Sequence, residues 1–123
     1  MPSRDLNSEP KIFLKLFKFI VDLNEFVRNL PKHYKYSLGQ ETMDMAWRCL
    51  DLVLEANFYY TPRIKKQKIN ELSLTFDKLK LRIRMFQELN LIKTKKFQMY
   101  QLHYLKNIGG MIGGWIKWAD SLE

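Results

Sequence analysis

The chain has 123 residues, enough for one domain with one core and too few for two. Hydrophobic residues make up 46% and aromatics 14%, a composition that excludes global disorder. The formal charge of +8, from 21 Lys+Arg against 13 Asp+Glu, favours a polyanionic partner, nucleic acid first and an anionic membrane second, although many basic domains have no such role.

Residues 1–10 are polar, with two prolines and no periodicity, and read as a flexible N-terminal arm before a single domain over residues 11–119. The first helix is predicted from about Lys11 to Asn29. Its apolar set is Phe13, Leu16, Phe17, Ile20, Leu23, Val27 and Leu30, with Ile12, Phe19 and Phe26 in a second row beside it. That face is wider than one core stripe needs. Lys15, Lys18, Asp22, Glu25 and Arg28 interrupt the run, so it is an amphipathic core helix and not a membrane span. Pro31 stops it, because the residue before a proline disfavours the α region.

A short junction over residues 31–36 carries Lys32, His33 and Lys35. Ser37 is suited to cap the second helix, with Gln40 completing a capping box. That helix is expected to reach about Tyr59, with Met43, Ala46, Trp47, Leu50, Val53, Leu54 and Phe58 on one face. Thr61-Pro62 ends it, and Arg63, Lys65, Lys66 and Lys68 form a dense basic turn. The third helix follows from about Lys66 or Lys68 to Leu91. Its main stripe is Ile69, Leu72, Phe76, Leu79, Ile83 and Phe86, widened by Leu74, Leu81, Met85 and Leu89. After Lys93, with Thr94 as a candidate N-cap, the fourth helix runs from about Lys95 to Ala119 on Phe97, Tyr100, Tyr104, Leu105, Ile108, Ile112, Trp115 and Ile116. Long helices joined by short loops pack as antiparallel neighbours, so the expected fold is an all-α, up-down-up-down four-helix bundle.

Two features invite a functional reading. Gly109, Gly110, Gly113 and Gly114 each cost roughly 1 kcal/mol in a helix interior relative to Ala. Their i, i+4 pairs smooth two adjacent strips for close helix packing, within the chain or between chains; the alternative is a helix break. The second feature is the cation pairs of the third helix, Lys78 with Arg82 and Lys80 with Arg84, whose like charges repel at i, i+4. A phosphate backbone would offset that repulsion, whereas the bland reading is a solvated face. With Lys32, Lys35, Arg63, Lys65 and Lys66 in the junctions, these residues are the candidate nucleic-acid contacts, joined by a stripe along the third helix. If about six phosphates of a single strand were contacted, log affinity would fall against log salt with a slope of about −4. Tyr34, Tyr36, Tyr59 and Tyr60 lie near these cations and either stack on unpaired bases or close the bundle ends.

Catalytic and metal signals are poor. Cys49 is a lone cysteine inside a helix, read as a small buried hydrophobe in a reducing compartment. His33 and His103 have no ligand cluster around them, no Glu-x-x-His motif is present, and no Ser-His-Asp or Cys-His arrangement can be defended. No cofactor, metal or catalytic residue is expected, and no secretory signal is seen.

Leu30-Pro31-Lys32, the Tyr36-Ser37-Leu38-Gly39-Gln40 start of the second helix, the run Leu50-Asp51-Leu52-Val53-Leu54-Glu55-Ala56 and the ending Ile108-Gly109-Gly110-Met111-Ile112-Gly113-Gly114-Trp115-Ile116 carry a resemblance. In this combination the sequence resembles the accessory variability determinant (Avd) family of diversity-generating retroelements, over roughly Phe13 to Trp118. The wider group includes four-helix bundle proteins encoded in intervening sequences of bacterial 23S ribosomal RNA genes. The resemblance implies a basic, ring-like homopentamer without catalytic activity of its own. It implies a complex with the retroelement reverse transcriptase and its template RNA, with DNA as a further ligand, in the cytoplasm of a bacterial or phage-infected cell. It points to Lys80 and Arg84 first among the basic positions, with Arg82 and Lys78 next. The alternative within the wider group is a bundle that binds RNA without a polymerase partner.

Overall fold

A computed structural model describes residues 11–122, and the expected N-terminal arm lies outside the described residues. The fold is an all-α bundle of four long helices, with no strand among the described residues. Helix α1 is Lys11–Arg28. Helix α2 joins a first turn Lys32–Tyr34, a π-helical turn Lys35–Gly39 and the long segment Gln40–Phe58. Helix α3 is Pro62–Glu88. Helix α4 joins Thr94–Tyr100, a second π-helical turn Gln101–Leu105 and Lys106–Asp120. Each helix packs on its two sequence neighbours, and α1 closes the square against α4.

The main stripes behave as their spacing dictates. Leu16, Leu23, Leu72, Leu79, Ile83 and Ile108 are fully buried in one core that runs through all four helices. Cys49 belongs to it, and burial pushes its thiol up to about 12, which keeps it protonated and inert. A smaller cluster of Ala56, Ile69 and Ala119 closes the end near the α2–α3 junction. The second row of α1 joins the core, with Ile12 and Phe19 buried, whereas the widening residues of α3, Leu74, Leu81, Met85 and Leu89, stay outside. Phe17, Trp47 and Phe58, expected on the main faces, are instead about half exposed, Phe17 at 48% and Trp47 at 49%. Each helix of a square bundle has neighbours on two sides, so a residue about 100° or more from the centre of the buried stripe faces outward.

The junctions differ from their sequence reading. The segment expected to be a loop over residues 31–36 is mostly helical. Pro31 is the N-cap, extended at φ −53 and ψ 143, and its carbonyl accepts from the N–H groups of Tyr34 and Lys35, both at 2.9 Å. Proline acts as the start signal because its fixed φ and missing N–H cost nothing there. Ser37 is therefore no cap: its hydroxyl donates to the His33 carbonyl at 2.8 Å, and Gln40 donates to Asp44 instead of completing a capping box. The π turn ends at Gly39, whose backbone lies against α1. A Cβ there would come within 2.9 Å of Val27 Cγ1 and 3.2 Å of Leu30 Cδ1.

Helix α3 starts at Pro62, four to six residues earlier than expected, because a proline in the first turn begins a helix while restricting Thr61 to extended backbone. It ends at Glu88 and not Leu91. Asn90 turns left-handed at φ 58, and the Leu91 N–H closes on the Phe86 carbonyl at 2.8 Å. Thr94 is the first residue of α4, and Lys93 takes the cap position with no side-chain bond. The second π turn brings the Tyr104 hydroxyl to the Asp22 carboxylate, to which it donates, while Tyr100 donates to the Asp22 carbonyl at 3.4 Å. Burial, and then the bond to Asp22, push the Tyr104 phenol up to about 12.

Candidate nucleic-acid interface

The four α3 cations do not form one stripe. Arg82 points toward α2, with Nη2 3.5 Å from Glu41 Oε1, and Lys78 lines a shallow cleft with Glu41, Asp44 and Arg48 on the same side. Lys80 lies on the opposite edge. Its Nζ is 3.2 Å from Asp77 Oδ1 and 5.3 Å from the ring centre of Phe76, the residue nearest Gly109 of α4. Arg84 is exposed, one turn further on, and has no carboxylate within ion-pairing distance among the described residues. Helical geometry separates positions 78 and 80 by about 200°. Leu74, Leu81 and Met85 run outward between the two basic edges.

The junction cations also divide. In an antiparallel bundle the α1–α2 and α3–α4 junctions share one end, and the α2–α3 junction occupies the other. At the α2–α3 end most of the basic residues are already engaged. Lys65 donates to the Ala56 carbonyl at 2.6 Å and sits 5.7 Å from the Trp118 ring centre. Lys66 pairs with Asp120 at 3.2 Å and Lys68 with Glu55 at 2.8 Å. Glu55 also accepts from Arg48, which reaches on to Glu71 at 2.7 Å. The Lys68 and Arg48 cations hold the Glu55 carboxyl below its usual range, against the opposing effect of burial. Arg63 remains exposed there.

At the opposite end Lys32, Lys93 and Lys95 are exposed and have no carboxylate partner among the described residues. Lys35 lies 5.8 Å from the Tyr36 ring centre, and Lys96 lies 5.7 Å and 5.8 Å from Phe26 and Tyr100. Arg28 adds a guanidinium at the end of α1, paired at 2.6 Å with the exposed Glu25. This end is where unneutralised positive charge collects. Sequence reasoning named Lys32 and Lys35 but missed Arg28 and Trp47, which are brought beside them only when α1 folds back along α2.

Of the four α4 glycines, Gly109 alone meets another described helix, with a Cβ position 3.6 Å from Phe76 Cε2; a Cβ at Gly110, Gly113 or Gly114 would have nothing within 4 Å among the described residues. The helix runs unbroken through them, so the break reading is wrong, and a tight crossing inside the chain is wrong for these three.

No group of three or more metal-ligating side chains occurs among the described residues, and no described helix is long and apolar enough to cross a membrane. A family model described as bAvd-like matches residues 12–119, from the first turn of α1 almost to the end of α4. The chain belongs to the bAvd-like family. The match spans all four helices and both basic ends, in line with the resemblance carried by the Leu30-Pro31-Lys32 junction and the Gly-Gly-Met-Ile-Gly-Gly-Trp ending. No curated protein and no solved structure shows significant similarity to the chain.

Proposed function

We propose that the chain is the non-enzymatic accessory subunit of a diversity-generating retroelement, acting in the bacterial cytoplasm, where it holds the reverse transcriptase together with template RNA or its cDNA. The observation that carries this is the cation cluster at the α1–α2 and α3–α4 end, where Lys32, Lys93 and Lys95 meet no carboxylate among the described residues, on a bundle of the bAvd-like family. Phosphates supply affinity to such a surface without sequence preference, and the shape of the protein partner supplies specificity.

Two outward apolar rows support a homo-oligomer. Leu14, Phe17 and Val21 lie on α1, and Leu74, Leu81 and Met85 lie on the diagonally opposite α3. Two unlike surfaces on one chain suit a head-to-tail ring better than a two-fold dimer, and the pentamer is the ring of this reading. Lys80 and Arg84 flank the α3 row and serve as contacts to nucleic acid or polymerase beside it.

Native mass spectrometry of the purified chain, followed by pull-down of a diversity-generating retroelement reverse transcriptase with and without RNA, tests the reading. Five subunits and an RNA-containing complex with the polymerase are expected. A monomer that ignores both polymerase and RNA in dilute buffer overturns it. RNA binding without polymerase capture points instead to the intervening-sequence type of bundle.

A further inference from the structure

A groove of about 270 Å³ lies where the end of α1 meets the start of α2. Its floor is apolar, made by the buried Val27 and Met43. Its walls are two exposed aromatic side chains, Tyr36 at 69% and Trp47 at 49%. Arg28 and Lys35 bring positive charge to the same groove, and Asn24 and Gln40 bring amides. We propose that this groove is a subsite for one unpaired nucleotide, the base lying against Tyr36 and Trp47 and its phosphate held by Lys35 and Arg28. The inference rests on the polyanion-binding role proposed above and adds to it the kind of nucleic acid, a single strand.

Four observations select a nucleotide. The volume lies just under the usual range for whole small-molecule ligands and suits a single planar ring system. Aromatic faces beside cations are the arrangement that holds unpaired bases, because every base has a π-face and every base carries a phosphate. Lys35, 5.8 Å from the Tyr36 ring centre, is placed so that a base on that ring carries its phosphate to the ammonium. Gln40 donates its amide N–H to Asp44 at 2.9 Å, which leaves its carbonyl oxygen as an acceptor for a base amino group. The nearby acids do not close the groove to an anion. The Glu25–Arg28 pair is exposed, with side chains 59% and 65% accessible, and such a pair yields readily to a phosphate.

The backbone explains why the sequence hid this. Lys35 and Tyr36 both lie in the π turn, and the turn sits down on Val27 and Leu30 because Gly39 has no side chain. Tyr36 and Trp47 are eleven positions apart, about three helical turns, and both line the groove; the pairing was hidden because residues 31–36 read as a loop ahead of a Ser37 cap, whereas they belong to α2. A base-paired strand has no free ring to offer, so the groove discriminates against duplex.

The test measures anisotropy of a fluorescein-labelled twelve-nucleotide RNA single strand and of the matching duplex, with wild type, Tyr36→Ala, Tyr36→Phe, Trp47→Ala and Lys35→Gln. Circular dichroism and native mass confirm that each variant is folded. Tyr36→Ala and Trp47→Ala are each expected to weaken single-strand binding by about 5- to 100-fold with an unchanged salt slope, and to leave duplex binding alone. Tyr36→Phe is expected to match wild type, and Lys35→Gln to reduce the slope by about 0.7. Unchanged single-strand affinity in both alanine variants overturns the subsite while leaving the polyanion role intact. Equal losses on single strand and duplex overturn it as well, since the groove would then read backbone alone. Loss of polymerase capture with RNA binding untouched overturns it in favour of a protein side chain as the occupant. If wild type binds no RNA at low salt, the proposed function fails and the subsite with it.

Discussion

The two ends of this bundle begin from the same kind of sequence and finish in different states. Residues 63–68 and the pair of segments 32–35 and 93–96 are both short basic runs beside a proline or a helix start. At the α2–α3 end most of the run is engaged: Lys66 meets Asp120, Lys68 meets Glu55, and Lys65 satisfies the last turn of α2 through the Ala56 carbonyl. At the other end Lys32, Lys93 and Lys95 meet no acid among the described residues, and Lys35 and Lys96 lie over aromatic rings. The difference is made by acids distant in sequence. Asp120 is the last residue of α4, and Glu55 stands one helix away from Lys68. A basic run thus says little about binding until the fold shows which carboxylates reach it. One end is a clasp, and the other is an open cationic surface.

Charge reversal gives the largest contrast between the two. Lys32→Glu, Lys35→Glu and Lys93→Glu together are expected to weaken single-stranded RNA binding roughly 50-fold near physiological salt and to cut the salt slope by about 2, with the melting temperature nearly unchanged. Lys65→Glu with Lys66→Glu should do the reverse, lowering the denaturation midpoint while changing affinity by a few-fold at most. Filter binding across a salt series, beside urea unfolding, separates them. If the triple and the double variant act alike on RNA, the division into clasp and open surface is wrong.

The next effect lies in what shapes the open end. Gly39→Ala places a methyl 2.9 Å from Val27 Cγ1 and 3.1 Å from the Tyr34 carbonyl. Neither is the free end of a flexible side chain, so the variant is expected to lose about 2 kcal/mol in urea unfolding. At the clasp, Glu55→Gln is expected to cost about 1 kcal/mol at pH 7, because it removes the shared acceptor of Arg48 and Lys68. The pH dependence has a definite sign. Bonding to Lys68 and attraction to Arg48 lower the Glu55 pKa in the folded chain. The stability it brings is therefore complete above the ordinary carboxylate range and is lost as pH falls through the lowered value. Wild type and Glu55→Gln should converge in stability as pH falls below the lowered Glu55 value; a gap that stays constant from pH 7 downward would remove Glu55 from the clasp.

Much of the fold was legible because apolar spacing is a local property. The α3 stripe of Ile69, Leu72, Phe76, Leu79, Ile83 and Phe86 is buried as its period requires, and the lone Cys49 is a core residue. Misreadings gathered where local signals competed. Pro31 and Pro62 read as stops, yet each also starts the following helix, and Ser37 has no cap role because α2 begins six residues earlier, with Pro31 as its cap. The π turns carry no pattern of their own, and they decide where Tyr36 and Tyr104 point. The candidate site was legible as a list of cations and not as a surface. Lys78 with Arg82 and Lys80 with Arg84 fall on two separate edges by helical spacing alone, but which helix and which acids each edge meets follows only from the fold. The opposition of Lys66 to Asp120 exists only in three dimensions.

The smallest effect concerns the part of α4 that no other described helix covers. Gly113 stands in a continuous helix, and a Cβ there meets nothing within 4 Å. For a chain standing alone, Gly113→Ala removes backbone entropy from the unfolded state and fills empty space, so it should raise stability by about 0.5–1 kcal/mol. If another copy or the polymerase lays a backbone across this strip, the same methyl is a steric obstacle and the assembly weakens while the isolated fold gains. The two cases are told apart by running urea unfolding at low protein concentration beside native mass spectrometry at high concentration. A gain in the first with an unchanged mass distribution and undiminished polymerase capture assigns the glycines no packing role. A gain in the first with loss of the oligomer in the second makes this strip a contact surface, on a face distinct from the cationic end.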